Sequence, residues 1–150
     1  GATGFIGSFL VTKLKEKKIN FVVLCRKKNI EKVKGCKKII IKKNLIKTQK
    51  EIHSFNPDVA IHLATNFKSQ HNLKNLSKLI NDNINFGAQF LEMLNHVNLK
   101  LFVNANTFST SVDGKGYKPK NFYSATKKSF EDILKYYSDI NKFKVIVIRY

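Results

Sequence analysis

Three residues in the second half of the chain, Thr107, Tyr123 and Lys127, have side chains that together could move a proton at an alcohol oxygen. Tyr123 and Lys127 stand four residues apart, so on a helix their side chains share one face. A nearby ammonium favours the ionised phenol, and such a tyrosine can exchange a proton with an alcohol while a hydride leaves or joins the same carbon. Because the chain has 28 Lys and Arg residues, a packed tyrosine beside a solvated lysine is an open alternative.

Two further polar residues belong to the same candidate site. Thr107 closes the segment "LFVNANT", at the kind of strand end where ligands of open α/β sheets bind. Its hydroxyl would hold a substrate oxygen beside Tyr123. Asn83 lies on the apolar stripe of a helical pattern, so we expect it to be buried with hydrogen-bond partners. Satisfaction by backbone groups alone and a role in the active site are both open for Asn83.

A glycine turn at the start of the chain predicts a second site. The segment "GATGFIG" places glycines at 1, 4 and 7, directly before an amphipathic helical pattern. Positions without side chains let the backbone approach a pyrophosphate, and the helix N-terminus supplies free N–H groups and a positive dipole end. The spacing is GxxGxxG rather than GxGxxG, and a turn without ligand is the alternative. The predicted contacts are Gly1, Gly4, Phe5, Ile6 and Gly7.

A pyrophosphate bound at such a glycine turn commonly belongs to a dinucleotide such as NAD or NADP. The end of the predicted strand 21–25 indicates which of the two would bind. A site of this kind usually places an acid about twenty residues after the glycines, to bind a ribose 2′-hydroxyl. Here the sequence is Cys25-Arg26-Lys27-Lys28, without an acid. Arg26 suits a 2′-phosphate, so we expect NADP, with NAD possible. A solvated basic loop is the alternative.

The elements that must position these residues alternate between strands and helices. Short apolar runs at 21–25, 39–41, 59–64, 101–103 and 145–148 are typical of buried strands, and helical periodicity marks the residues after Ile6, the stretch 73–94 and the segment after Tyr123. Such alternation predicts crossover units and a parallel sheet. We therefore expect an α/β, Rossmann-type doubly wound domain over residues 1–150. A glycine turn of this kind normally follows a central strand, so the sheet would lack its first strand and the chain would be a fragment of a longer protein.

Composition weakens several other classes of function. The net charge of +18 raises the possibility of a nucleic-acid partner, but the lysines are scattered and Arg26 and Arg149 are the only arginines. The Phe and Tyr residues follow the periodicity of core positions rather than lying exposed for base stacking, so we expect no nucleic-acid partner. No apolar run reaches eighteen residues, which argues against a membrane span. Two cysteines without a CxxC pattern favour a reducing, cytoplasmic location, and four histidines without ligand-like spacing predict no metal site.

In order along the chain, "GATGFIG", "DVAIHLAT", "NINFGAQFLE", the strand and turn ending in Thr107, and "YSATK" resemble one family. It is the extended short-chain dehydrogenase/reductases, also called the NAD-dependent epimerase/dehydratase family. The resemblance implies that Tyr123 is the catalytic acid/base and that Lys127 tunes it and binds the nicotinamide ribose. Thr107 takes the place of the active-site Ser/Thr, and Asn83 matches the family's helix asparagine. The residues His62, Leu63, Ala64 and Thr65 would line the cofactor at the end of the predicted strand 59–64, which corresponds to the fourth strand of the family's sheet.

Within that family, "IHLAT", "FVNANTF" and "YSATKKSFEDILKYY" are similar to reductases of nucleotide-activated 4-keto-deoxy sugars, such as the CDP-abequose and paratose synthases. This similarity implies a nucleotide-sugar substrate and NADPH. Asn44-Leu45 stands where the family commonly has Asp-Leu near the adenine. The family's smaller substrate domain would follow residue 150. A homodimer through the helices at 73–94 and 124–137 is a further expectation from the resemblance.

Three functions are open at this point. The first is an enzyme that transfers a hydride on a nucleotide sugar, as a reductase or an epimerase. A dehydratase ranks last, because Glu131 and Asp132 form no convincing acid/base pair with Tyr123. The second is a non-catalytic dinucleotide-binding regulatory module, against which Thr107, Tyr123 and Lys127 argue. The third is an inactive truncated relative, which would fold poorly without a central strand.

Overall fold

Parallel strands and crossover helices alternate through the whole chain. The computed structural model describes residues 1–150. The elements are α1 (Phe5–Glu16), β1 (Val23–Cys25), β2 (Lys38–Ile40), α2 (Leu45–Phe55), β3 (Val59–His62), α3 (Leu73–Ile80), α4 (Phe86–Met93), β4 (Leu101–Asn106), α5 (Phe122–Asn141) and β5 (Lys144–Arg149). A π-helical turn (Asn81–Asn85) joins α3 to α4, and 3₁₀ turns follow β1 and β4.

The strands form two separate parallel sheets. One contains β1 and β2, and the other has the order β3-β4-β5. Between β1 and β3 lies a cleft of about 560 Å³ that is lined mainly by apolar side chains, and no strand of the described chain occupies it. Val59 and Ile61 on β3 line this cleft and are exposed. The predicted α/β fold with parallel strands is confirmed, and the cleft separates its two sheets.

The larger core lies mainly under the three-stranded sheet and extends to Ile39 of β2 and Ile52 of α2. Eleven buried apolar residues form it, with Phe102 of β4 and Phe130 of α5 fully enclosed. Helices α4 and α5 approach each other closely at Gly87, where an added Cβ would lie only 2.4 Å from the ring of Phe130. A glycine is therefore required where the two helices meet. The two-stranded sheet covers a smaller core of Val23, Cys25, Val33 and Cys36.

Helix α2 was not predicted, although its signals are present in the sequence. Asn44 caps it, since its side-chain oxygen accepts a hydrogen bond from the Ile46 N–H at 3.0 Å. Thr48 and Ile52 form its buried side, and Leu45 and Phe55 at its two ends pack against the core. Only a narrow apolar stripe marks this helix, which explains why the strand–helix pattern was incomplete there. None of the helices combines the length and the apolar character needed to cross a membrane.

Candidate active site

One cleft collects almost all of the predicted site residues. Its volume is about 650 Å³, and it lies where the five strands end at their carboxyl termini, the position at which open α/β sheets bind ligands. The predicted residues that line it are Gly1, Gly4, Phe5, Ile6, Gly7, Arg26, Leu63, Ala64, Thr65, Thr107, Tyr123 and Lys127. Asn83 does not line the cleft. The fold therefore brings the glycine turn of one sheet to the tyrosine and lysine beside the other.

The glycine turn is packed too tightly for any side chain at two positions. A Cβ on Gly7 would lie 2.1 Å from the carbonyl oxygen of Gly1, and a Cβ on Gly1 would lie 2.2 Å from the backbone carbon of Leu63. Gly4 is the N-cap of α1, and no side chain caps this helix. The first N–H groups of α1 are thus left without a capping partner beside the cleft, which suits an anionic group there.

The basic end of β1 borders the same cleft. Arg26 is exposed on the cleft wall directly after Cys25. The only acidic residue on the wall is Asp82, and its carboxylate is paired with Lys78 at 2.6 Å. The β1 end therefore offers a guanidinium and no carboxylate to a ligand.

Tyr123 and Lys127 occupy the first two turns of α5. Asn121 caps this helix by accepting a hydrogen bond from the Ser124 N–H at 2.9 Å. Tyr123 is half-buried, and its ring makes a T-shaped contact with that of Phe67 at a centroid distance of 5.0 Å. Lys127 is only 2% exposed and lines the cleft. It is therefore not a solvated surface lysine.

The electrostatics of Lys127 follow from this burial. Desolvation lowers the pKa of Lys127 to about 8, and the carboxylate of Glu131 acts in the opposite direction. Burial deprives the lysine of hydration, and a polar ligand in the cleft would stabilise its charged form.

Thr107 lies immediately after β4, as its position in the sequence predicted. It is 9% exposed, and its N–H donates a hydrogen bond to Asn106 Oδ1 at 2.8 Å. Its Oγ accepts a hydrogen bond from the Ser109 N–H at 3.2 Å. The hydroxyl is thereby fixed on the cleft wall while its own proton stays available to a ligand.

Asn83 is a buried connector behind the cleft. It sits in the π-helical turn, an irregularity that often marks functional sites. Its Oδ1 accepts hydrogen bonds from Thr65 Oγ at 3.2 Å and from the Asn66 N–H at 2.6 Å. Its Nδ2 donates to Asn66 O at 3.0 Å and to Thr126 Oγ at 3.1 Å, and Thr126 bonds in turn to Tyr123 O. Its partners are thus not backbone groups alone, and it ties the loop after β3 to the first turn of α5.

The structure does not place His62 with its three successors on the cleft. Its ring packs in the core, 4.8 Å from that of Phe130, and burial lowers the pKa of His62 to about 3. Side chains along β3 alternate between the two faces of the strand, and His62 lies on the buried face. The residues 63–65 that follow it line the cleft. No group of three or more His, Cys, Asp or Glu side chains is arranged to hold a metal ion.

Several wall residues were not predicted from the sequence. They are Ala2, Thr3, Leu24, Cys25, Asn29, Ile41, Phe67, Asp82, Phe86, Ala105, Asn106 and Tyr150. Many of them directly end or follow a strand, so the strand ends themselves were the available signal. Phe67 and Asp82 come from longer connections whose path the sequence pattern does not define.

Known proteins share this sequence pattern and fold. A family model described as the NAD dependent epimerase/dehydratase family matches residues 1–150. No curated protein matches the chain in sequence. A UDP-glucose 4-epimerase from Brucella ovis in complex with NAD superposes with a TM-score of 0.85 at 18% identity, covering 100% of this chain and 50% of that one.

Two other solved structures have the same fold over the whole of this chain. A UDP-glucose 4-epimerase from Thermus thermophilus in complex with NAD has a TM-score of 0.84, 23% identity, and 53% of its own length covered. A UDP-glucuronic acid 4-epimerase from Bacillus cereus in complex with NAD has a TM-score of 0.80, 22% identity, and 54% of its length covered. The chain thus spans about half the length of the solved structures it matches.

Proposed function

The chain belongs to the NAD dependent epimerase/dehydratase family, and from this premise we propose that it is the dinucleotide-binding domain of an enzyme acting on a nucleotide-activated sugar. The enzyme would transfer a hydride between a nicotinamide cofactor and a sugar carbon. The observation that carries the proposal is that Thr107, Tyr123 and the buried Lys127, one helical turn after Tyr123, lie on the wall of one cleft. A non-catalytic dinucleotide-binding module would need neither the Tyr123 phenol nor the Thr107 hydroxyl beside this lysine.

The residues present fit a nicotinamide dinucleotide. The uncapped N-terminus of α1 and the glycine turn, whose close approaches exclude side chains, suit a pyrophosphate. Lys127 would donate to the hydroxyls of the nicotinamide ribose, which satisfies its ammonium. Leu63 and Ala64 border the cleft between these two regions. The solved structures of the same fold named above were crystallised with NAD.

The protein's own groups would handle the proton. A bound nicotinamide dinucleotide supplies or accepts the hydride. Thr107 would hold the sugar oxygen through its hydroxyl, and Tyr123 would give that oxygen a proton or take one from it. The positive charge of Lys127 favours the ionised phenol at the moment the proton leaves. Asn83 would keep Tyr123 in place through Thr126.

Within this class we propose reduction of a nucleotide-linked 4-keto-deoxy sugar with NADPH. Arg26 on the cleft wall supports a 2′-phosphate, because no carboxylate stands at the end of β1 to bind a 2′-hydroxyl. Epimerisation, the reaction named for the solved structures, is the second candidate and would use Tyr123 and Lys127 in the same roles. The two differ in whether the cofactor leaves after each cycle.

Turnover by the full-length protein tests the proposal. The protein would be incubated with UDP-glucose, with UDP-glucuronic acid, or with a CDP-linked 4-keto-6-deoxy sugar and NADPH. We expect one of these to react, with kcat lowered about 10²- to 10⁴-fold in Tyr123→Phe, the usual range for removing a general acid/base. Oxidation of NADPH in step with substrate identifies a reductase, whereas product formation without net oxidation identifies an epimerase. Equal activity of Tyr123→Phe and wild type would overturn the assigned chemistry.

A further inference from the structure

Glu131 is an acidic residue on α5 that lies behind the wall of the candidate active site. It follows Lys127 by one helical turn and Tyr123 by two, so the three side chains form one stripe along α5. The side chain of Glu131 is only 21% exposed. A carboxylate at such depth requires partners, and it has two.

The partners of Glu131 come from the ends of two neighbouring strands. Arg149 Nη2 donates to both carboxylate oxygens, at 2.7 and 2.9 Å. Asn106 Nδ2 donates to Oε2 of the same carboxylate. Asn106 and Arg149 are register partners in the β4–β5 pair, so Glu131 clamps the carboxyl ends of both strands to α5.

The clamp continues directly to the residue proposed to hold the substrate. The side chain of Asn106, which is 4% exposed, donates to Glu131 through Nδ2 and accepts from the Thr107 N–H through Oδ1 at 2.8 Å. An amide held at both ends has one orientation. The orientation of Thr107 on the cleft wall therefore depends on Glu131.

Glu131 also acts on Lys127. Burial lowers the pKa of Lys127, and Glu131 is the charged group that raises it. Because Arg149 pairs with Glu131, the carboxylate supports the ammonium without becoming a free acid or base in the cleft. Glu131 itself does not line the cleft.

We propose that Glu131 is the positioning residue of the active site, which fixes Thr107 through Asn106 and holds Lys127 one turn away in its charged, buried place. This inference rests on the proposed function for its catalytic consequence, and on geometry alone for the structural one. Asp132, the next residue, provides a matched comparison. It is 65% exposed and pairs only with Lys128 on the outer face of the same helix.

The test compares Glu131→Gln with Asp132→Asn in the full-length protein. Each change removes one negative charge from α5 and keeps the size of the side chain. The first readout is hydrogen–deuterium exchange of the ligand-free protein. We expect the Thr107 amide to exchange about tenfold faster in Glu131→Gln and at the wild-type rate in Asp132→Asn, since exposed pairs contribute little. An unchanged Thr107 amide in Glu131→Gln would overturn the proposal, whether or not the protein turns over a sugar.

The second readout is steady-state kinetics on the substrate that the wild-type protein turns over. A positioning role predicts that kcat falls about tenfold or more in Glu131→Gln while KM for cofactor and sugar stays within about twofold. A fall in kcat that only matches a smaller folded fraction, measured by circular dichroism, would make Glu131 a stabilising residue and overturn the proposal. Glu131→Asp serves as the second variant, and partial recovery of kcat is expected because the carboxylate is retained. If Tyr123→Phe were as active as wild type, the proposed function would fail while the exchange result for Glu131 would stand.

Discussion

The two sheets of this molecule prepare their parts of the cleft in different ways. Beside the β1–β2 sheet, the glycine turn works through its backbone: α1 has no capping side chain, and close approaches leave no room for a Cβ. Beside the β3–β4–β5 sheet, the site is built from side chains that bond to one another behind the wall, as Asn83 does with Thr126 and Asn106 with Glu131. A site formed by backbone groups requires residues without side chains, whereas a site formed by side chains requires hydrogen bonds that hold those side chains in place.

The cores differ in the same direction. Eleven buried apolar residues form the core under the β3–β4–β5 sheet, which also takes in Ile39 of β2, and four form the smaller core beside the β1–β2 sheet. Catalytic groups that must hold a fixed geometry benefit from the larger, close-packed core. A cofactor turn requires only that α1 and the loop after β3 stay close together.

The largest expected effect is on folding, and it separates the two cores. Phe130→Ala empties the centre of the large core, where Phe130 is fully buried, and should lower the free energy of unfolding by about 3–5 kcal/mol. Val33→Ala in the small core removes two methyl groups and should cost about 2 kcal/mol. Chemical denaturation of the full-length protein measures both. Equal losses would contradict the difference between the cores.

A smaller effect is expected for the glycine turn. Gly7→Ala places a Cβ at 2.1 Å from Gly1 O, so the turn must open and cofactor affinity should fall about 100-fold, by the cost of displacing one tightly packed backbone contact. Gly116→Ala is the control, because a Cβ there meets nothing within 4 Å. Nicotinamide fluorescence titration compares the two. The backbone account of this site would be wrong if both variants bound like wild type.

Acid should lower the free energy of unfolding through His62, which is buried beside the β3–β4–β5 sheet. Its pKa is lowered to about 3 in the folded state from an ordinary value of 6.5, so the folded protein holds it neutral. The stability this provides is complete above about pH 6.5 and declines as pH falls toward 3, by about 2 kcal/mol at pH 5. Denaturation curves at pH 8 and pH 5 test this, with His62→Gln expected to lose less on acidification than wild type. The matched comparison is the same change at the exposed His71, His71→Gln.

The smallest effect concerns the choice of cofactor. Arg26→Ala should weaken NADPH binding about tenfold, the value of one charge-assisted contact at a partly exposed site, and leave NADH binding near the wild-type value. Fluorescence titrations with both cofactors measure the ratio. Loss of NADH binding to the same extent would show that Arg26 does not read a 2′-phosphate.

The sequence was sufficient where one residue type has one physical consequence. Glycines at 1, 4 and 7 before a helix mark a tight turn, and the offset from Tyr123 to Lys127 marks one helix face. The position of Thr107 followed from the end of a strand. The α/β class followed from alternating strand and helix patterns, and the structure confirms it.

The remaining features depend on contacts that no sequence period relates. Glu131 and Arg149 are 18 residues apart and meet because β5 returns beside β4. The sequence therefore showed Glu131 only as an acid too far along α5 to act with Tyr123. His62 was expected with its neighbours at the cofactor, but strand alternation turns it into the core. Helix α2 buries only Thr48 and Ile52, so the sequence shows little apolar periodicity there.

The most direct test of the account is cofactor binding by Lys127→Met beside Lys128→Met. Both changes remove one ammonium from adjacent positions of α5, but Lys127 is buried at the cleft and Lys128 is paired with Asp132 on the outer face. We predict that the full-length protein binds NADPH or NADH, and that Lys127→Met weakens binding about tenfold or more while Lys128→Met does not. Absence of binding by the wild-type protein, or equal binding by both variants, would contradict the claim that this cleft holds a nicotinamide dinucleotide.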